Sequence, residues 1–256
     1  MSDKPLKDRV AIVTGGASGI GEGICFLLAD KGAKVAIFDV ASDGAKKVAK
    51  KIVKSGGEAQ EFKVDVAKAS EVDNAVKEVI SKFGKVDILV NDAGVTIASE
   101  VVKMSEETWD KVNGVNLKGV FLCCRAVVPQ LKKRKYGKIV NIASYLAPRG
   151  CPYYAHYSAT KAGVIAFTQG LALELGPYKI NVNAVGPGYI DTPLSRHDMT
   201  PETKKLFEEQ KIPLRRVGMP RDIADTVLFL VSNESSYITG QCIYVCGGLT
   251  ADAGLL

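Results

Sequence analysis

Ser144, Tyr157 and Lys161 have the types and spacing to move a proton on and off an oxygen. Tyr157 and Lys161 lie four apart in Tyr157-Ser-Ala-Thr-Lys161, and Ser144 stands thirteen residues before the tyrosine. On a helix, positions i and i+4 share a face, so the ammonium is expected beside the phenol, where it favours the phenolate. A free Tyr titrates at about 10, and a base working near neutrality needs that value lowered by roughly 3, equivalent to roughly 4 kcal/mol. One cation at ~4 Å supplies about 4 kcal/mol at an effective dielectric near 20. One well-placed Lys is therefore sufficient in magnitude for general acid–base work. Tyr and Lys at this spacing also occur on ordinary amphipathic helices, so the surrounding elements must decide.

Those elements alternate. Short apolar runs rich in β-branched residues read as strands buried on both faces: Val10–Val13, Lys34–Phe38, Val86–Val90, Lys138–Ile142, Lys179–Ala184 and Gln241–Val245, with Glu61–Val64 a weaker seventh. Helical patterns separate them at Ile20–Lys31, Ala45–Ser55, Ala69–Phe83, Glu107–Lys133, Ala155–Leu175 and Arg221–Val231. The order predicts an α/β fold: a Rossmann-type, doubly wound parallel sheet of about seven strands flanked by helices on both faces. No linker or composition shift divides the 256 residues, so a single domain is expected over 1–256.

After the first strand comes Thr14-Gly-Gly-Ala-Ser-Gly-Ile-Gly21. Glycines at 15, 19 and 21 permit a tight turn and close backbone approach to a pyrophosphate, which the following helix meets with its N-terminal amides. The second strand ends at Asp39, eighteen residues beyond Gly21. An acid there binds adenosine ribose hydroxyls and repels a 2′-phosphate. Neither Val40 nor Ser18 supplies the cation that would welcome NADP, so NAD is the expected cofactor.

Composition excludes other classes. Hydrophobic residues make up 46% and charged residues 24%, which suits a globular enzyme. No apolar run reaches the length of a membrane span, and the polar N-terminus lacks a secretory pattern, so a cytoplasmic protein is expected. Six cysteines without Cys-x-x-Cys or zinc spacing agree with a reducing compartment and no metal. The net charge of +6 comes mostly from dispersed lysines. Its densest run, Lys132–Lys135, reads as a solvated helix end, and no nucleic-acid site is expected.

These motifs together resemble the short-chain dehydrogenase/reductase family, in its short single-domain branch, over essentially the whole chain. The glycine turn, Asn91-Asp-Ala-Gly94, Asn116, Ser144, Tyr157, Lys161, Pro187-Gly188 and Gly247-Gly248 fall in that family's order. The resemblance implies Tyr157 as general acid/base, Lys161 lowering its pKa and binding the nicotinamide ribose, and Ser144 donating to the carbonyl oxygen. Asn116 would hold a water in a proton relay. Gly15, Ser18, Gly19, Ile20 and Gly21 would hold the pyrophosphate and Asp39 the ribose. Asp65 and Val66 would border the adenine, and Asn91, Ala93 and Gly94 the cofactor channel. Pro187, Gly188 and Ile190 would flank the nicotinamide, with Thr192 at its carboxamide. A homotetramer with Phe167 in the interface is implied too.

The substrate is expected to be a small-molecule secondary alcohol or its ketone, with a sugar or polyol, a hydroxy acid or hydroxyacyl thioester, a steroid and a small hydroxyketone all open. Leu146, Tyr154 and Tyr189 would form an apolar wall beside Ser144 and Tyr157, and Arg149 could pair with an anionic substrate. Residues 189–210 are expected to form a lid. Two positions depart from the family pattern: Asp92 replaces a second asparagine, and Cys246 replaces an acid before Gly247. Neither is expected to touch the catalytic residues. The alternative reading is an NADPH-dependent 3-oxoacyl (ketoacyl) reductase, which would need a cation near Asp39 or Ser18. A non-catalytic binding protein would have lost Tyr157 or Lys161. An epimerase of the longer branch would need a larger C-terminal substrate region.

Overall fold

The computed structural model describes residues 4–196 and 200–251. In chain order the elements are β1 (Val10–Thr14), α1 (Gly19–Asp30), β2 (Lys34–Asp39), α2 (Ser42–Lys54), β3 (Glu58–Lys63), α3 (Ala69–Phe83) and β4 (Ile88–Asn91). There follow α4 (Glu106–Asn113), α5 (Gly119–Arg134), β5 (Gly137–Ile142), α6 (Ala155–Leu175) and β6 (Ile180–Pro187). The last are α7 (Pro193–Arg196), α8 (Pro201–Leu206), α9 (Pro220–Val231) and β7 (Cys242–Val245).

All seven strands run parallel in the order β3-β2-β1-β4-β5-β6-β7. The chain leaves β3 at one edge and re-enters at β4 beside β1, creating a switch point between those two strands. The crevice above such a point is where open α/β sheets bind ligands.

Strand residues alternate between the two faces. Ala11, Val13, Val35 and Ile37 pack with α1, α2 and α9, whereas Val10, Ile12, Ala36 and Phe38 pack with α3, α5 and α6. Burial on both sides explains why the central strands read as continuous apolar runs. The edge strand β3 is only half-buried and carries Glu58, Gln60, Glu61 and Lys63. Its sequence signal was accordingly weak, and it starts three residues earlier than expected.

The predicted helix over 107–133 is divided. A π-helical turn, Gly114–Lys118, separates α4 from α5. At its end, a side chain on Gly119 would lie 2.8 Å from Val66 Cγ2, so the helix packs closely on the loop after β3. Such turns recur at functional sites because they redirect one side chain; here the redirected residue is Asn116.

The basic run at the end of α5 is more engaged than expected. Arg134 donates to the Val86 carbonyl and to buried Asp87 at 2.8 Å, and Lys132 pairs with Glu174. This ties α5 to the end of the sheet opposite the crevice.

Candidate active site

The carboxyl ends of β1, β2, β4, β5 and β6 surround a cavity of about 570 Å³. The glycine turn forms one end. Gly15 has φ +71°, and a Cβ there would sit 2.8 Å from Ala93 N, so the backbones of the turn and of the β4 loop nearly touch. A Cβ on Gly21 would lie 2.3 Å from the Gly15 carbonyl oxygen. Thr14, given no role from sequence, locks the same junction: its Oγ1 accepts from Asp92 N at 3.1 Å and Ala93 N at 3.0 Å. The result is a cradle of glycine backbone at the start of α1, shaped for a pyrophosphate.

Asp39 stands at the end of β2 with its carboxylate fixed by two backbone amides, Ala17 N at 3.0 Å and Ala41 N at 2.8 Å. Asp65 and Val66 lie beside it in the cavity wall. Among the described residues, no Lys or Arg lines this end. Gly15, Ser18, Gly19 and Ile20 line the pyrophosphate end, and Ala93 and Gly94 the floor. Pro187, Gly188, Ile190 and Thr192 line the far end, with the Thr192 side chain against Gly19. These donors and this cradle fit a nicotinamide dinucleotide.

The reactive residues converge at the centre. Ser144 follows β5 directly, is buried, and hydrogen-bonds the Tyr157 hydroxyl from across the cavity. Lys161, one turn along α6 from Tyr157, is buried and donates to the Ile142 carbonyl at 2.7 Å. Its Nζ lies 5.7 Å from the Tyr157 ring centre. The loop 145–154 is what brings strand end and helix together. His156, the neighbour of Tyr157, is fully buried and outside the cavity wall.

The electrostatics differ from the expected Lys-driven phenolate. Burial pushes the Tyr157 hydroxyl up from its ordinary value; Ser144 opposes the shift and Asp92 adds to it. Burial lowers Lys161 to about 8, while Asp92 works to keep it charged. Burial raises the Asp92 carboxyl to about 7, opposed by Lys161 and by the Gly21 amide. Substitution at 92 therefore reaches Lys161, contrary to expectation. Asp92→Asn removes the anion that holds the Lys161 proton. The fall in turnover caused by Lys161 deprotonation is expected to begin at lower pH in that variant, read from kcat across pH. An unchanged alkaline limb would show that Asp92 does not support the lysine.

Four other expectations are corrected. Asn91 does not line the channel; its side chain is buried and donates to Asn141 Oδ1 at 2.8 Å, stitching β4 to β5. Arg149 is absent from the cavity wall, and its guanidinium donates to the Leu249 carbonyl at 2.5 Å. Phe167, expected on an outward face, packs with part of its ring against the core and is half-buried. Gly21 stands behind the cavity wall, its amide turned to Asp92. Asn116, buried in the π turn, clamps Val95 by accepting from its N at 2.8 Å and donating to its O at 2.9 Å.

Leu146, Tyr154 and Tyr189 line the substrate end as expected. Tyr189 stacks on Phe207 at 4.3 Å with planes 13° apart, a contact the sequence did not announce. Phe207 comes from the expected lid, of which residues 197–199 lie outside the described residues. Cys246 is buried against Gly188, where a Cβ would lie 2.5 Å from its Cα.

Residues 15–250 match the family model described as enoyl-(acyl carrier protein) reductase. The chain belongs to the short-chain dehydrogenase/reductase family. It is an oxidoreductase of that family. It is 41% identical over 244 residues to a 3-oxoacyl-[acyl-carrier-protein] reductase of Thermotoga maritima, covering 95% of this chain and 98% of that one. It is 41% identical over 249 residues to the (2S)-[(R)-hydroxy(phenyl)methyl]succinyl-CoA dehydrogenase subunit BbsD of Thauera aromatica, with 97% and 99% coverage. The crystal structure of levodione reductase superimposes with TM-score 0.93 at 31% identity, over 96% of this chain and 99% of that one. Among the described residues, no helix is long and apolar enough to cross a membrane.

Proposed function

We propose that this short-chain dehydrogenase/reductase interconverts a secondary alcohol and its ketone with NAD(H). The observation that carries this reading is the meeting of Ser144, Tyr157 and Lys161 beside a glycine cradle whose adenine end offers Asp39 and no cation among its lining residues. NAD, when bound, supplies the hydride chemistry. The chain supplies the proton and the positioning. The Tyr157 hydroxyl gives its proton to the carbonyl oxygen in reduction and takes it back in oxidation. Ser144 Oγ donates to the same oxygen as charge builds on it. Lys161 binds the nicotinamide ribose, and the π turn around Asn116 holds the water that returns the proton to solvent.

A second reading, an NADPH-dependent 3-oxoacyl reductase, is favoured by the name of the Thermotoga maritima relative. It is opposed by Asp39, whose fixed carboxylate would face a 2′-phosphate; among the described residues no Lys or Arg lines that end of the cavity, and Lys63, the register partner of Asp39 on β3, is outside its wall. The same reading carries a cytoplasmic homotetramer working on a small molecule. Six free cysteines support a reducing compartment, and exposed Trp109, Phe121 and Leu173 on α4, α5 and α6 support subunit contacts. One fold-spanning domain with a lid over 189–210 completes the proposal.

The test is NADH formation across a panel of secondary alcohols, with NADP in parallel. Turnover with NAD supports the reading. Turnover with NADP alone, and 3-oxoacyl thioesters as best substrates, would move the assignment to the second one.

A further inference from the structure

The substrate end of the cavity has a chemical character of its own. Its wall is made by Val95, Leu146, Tyr154, Tyr189 and Phe207, with Ser144 and Tyr157 as the polar focus. The charged side chains of the whole cavity lie elsewhere. Asp39 and Asp65 stand at the adenine end, and Asp92 lines the floor with its carboxylate accepting from the Gly21 amide. Lys161 is buried, donates to the Ile142 carbonyl, and has its remaining donors assigned to the nicotinamide ribose in the proposed function. Arg149, the cation that sequence placed nearest, reaches the Leu249 carbonyl and is outside the wall. Among the described residues, no Arg, Asp or Glu side chain belongs to this wall, and the one Lys of the cavity, Lys161, stands on the cofactor side of Tyr157.

The wall is also flat. Tyr189 and Phe207 stack nearly parallel, and the pair is backed by a small apolar cluster of Ile212, Val217, Cys246 and Leu249. Stacked rings fixed from behind offer a rigid planar surface to whatever lies beside the carbonyl. An aromatic or alicyclic ring is the shape that covers such a surface without leaving gaps.

We infer that the substrate is an uncharged ketone or secondary alcohol whose carbonyl carbon lies in, or next to, a ring, and that a charged group on that ring is rejected. This rests on the proposed carbonyl–alcohol chemistry and names its substrate class. The reason for rejection is desolvation: a carboxylate brought into an apolar wall loses its water and finds no partner. Sites discriminate strongly when a polar group would be buried unpaired, and only weakly over a methylene.

The matched pair methyl 4-oxocyclohexanecarboxylate and 4-oxocyclohexanecarboxylate tests this with NADH and the full-length chain. The two differ by one methyl and one charge. The expected result is a kcat/KM at least about 100-fold higher for the ester, consistent with the discrimination typical of an unpaired buried group. Leu146→Arg is expected to narrow that ratio by about 10-fold or more, by giving the carboxylate a partner in the wall. Equal or better use of the acid by the unaltered protein would overturn the inference while leaving the reaction class intact.

If neither ketone is turned over, titration of the protein–NADH complex by fluorescence decides. Tighter binding of the ester supports the wall chemistry, so the failure belongs to the reaction class. Equal or tighter binding of the acid, or no binding of either, overturns the inference.

Discussion

Tyr157→Phe is expected to lower kcat for ketone reduction by about 10²- to 10⁴-fold, the usual contribution of a positioned general acid. NADH binding is expected to stay within about twofold of wild type, because Phe keeps the ring volume and loses one oxygen. The ring that Lys161 faces at 5.7 Å remains, and so does the Lys161 bond to the Ile142 carbonyl. What disappears is the hydroxyl that Ser144 hydrogen-bonds and that burial holds in its protonated form. Because that group acts on charge arising in the transition state, kcat and kcat/KM should fall together. Retention of more than about a tenth of wild-type turnover would place the acid elsewhere, since positioned acids contribute far more than that.

Asp39→Ala is expected to weaken NADH by about 10- to 100-fold, the scale of losing charge-assisted hydrogen bonds to a ribose. NADPH should weaken little or improve, because the repulsion of its 2′-phosphate is removed. The carboxylate also accepts from Ala17 N and Ala41 N, so part of the loss is local to the turn. Asp39→Asn separates the two effects: it retains an acceptor for the backbone and removes the charge. The ratio of kcat/KM for the two cofactors should shift in both variants. An unchanged ratio would take Asp39 out of cofactor choice.

Much of this site was legible in the sequence because its parts are local. The glycine turn, Asp39 eighteen residues on, and Tyr157 with Lys161 each depend on one strand end or one helix face. Helices α3 and α6 run over the predicted residues, Ala69–Phe83 and Ala155–Leu175; α3 is a long amphipathic stretch ended by Gly84, and α6 is a long run free of internal Pro that stops before Gly176-Pro177. The π turn was hidden, since Gly114 and Gly119 still fit a helical pattern and only packing on Val66 reveals the break.

Long-range relations were hidden as well. Asp92 influences Lys161 through burial in a space closed by α1, and nothing in Asn91-Asp-Ala-Gly94 states that. Asn91 carries a polar side chain beside the cofactor motif, yet it turns to Asn141 on the neighbouring strand. Arg149 is positioned by Leu249, a hundred residues away. The Tyr189–Phe207 stack joins a strand-end loop to a turn after α8, a pairing that only the folded lid creates.

NADH-linked carbonyl reduction at Ser144, Tyr157 and Lys161 is tested by the kcat/KM of the unaltered protein for NADH against NADPH, measured on one cyclic ketone at neutral pH. NADH is expected to be favoured by at least about 100-fold, since the Asp39 carboxylate would repel a 2′-phosphate. Equal use, or a preference for NADPH, would contradict it.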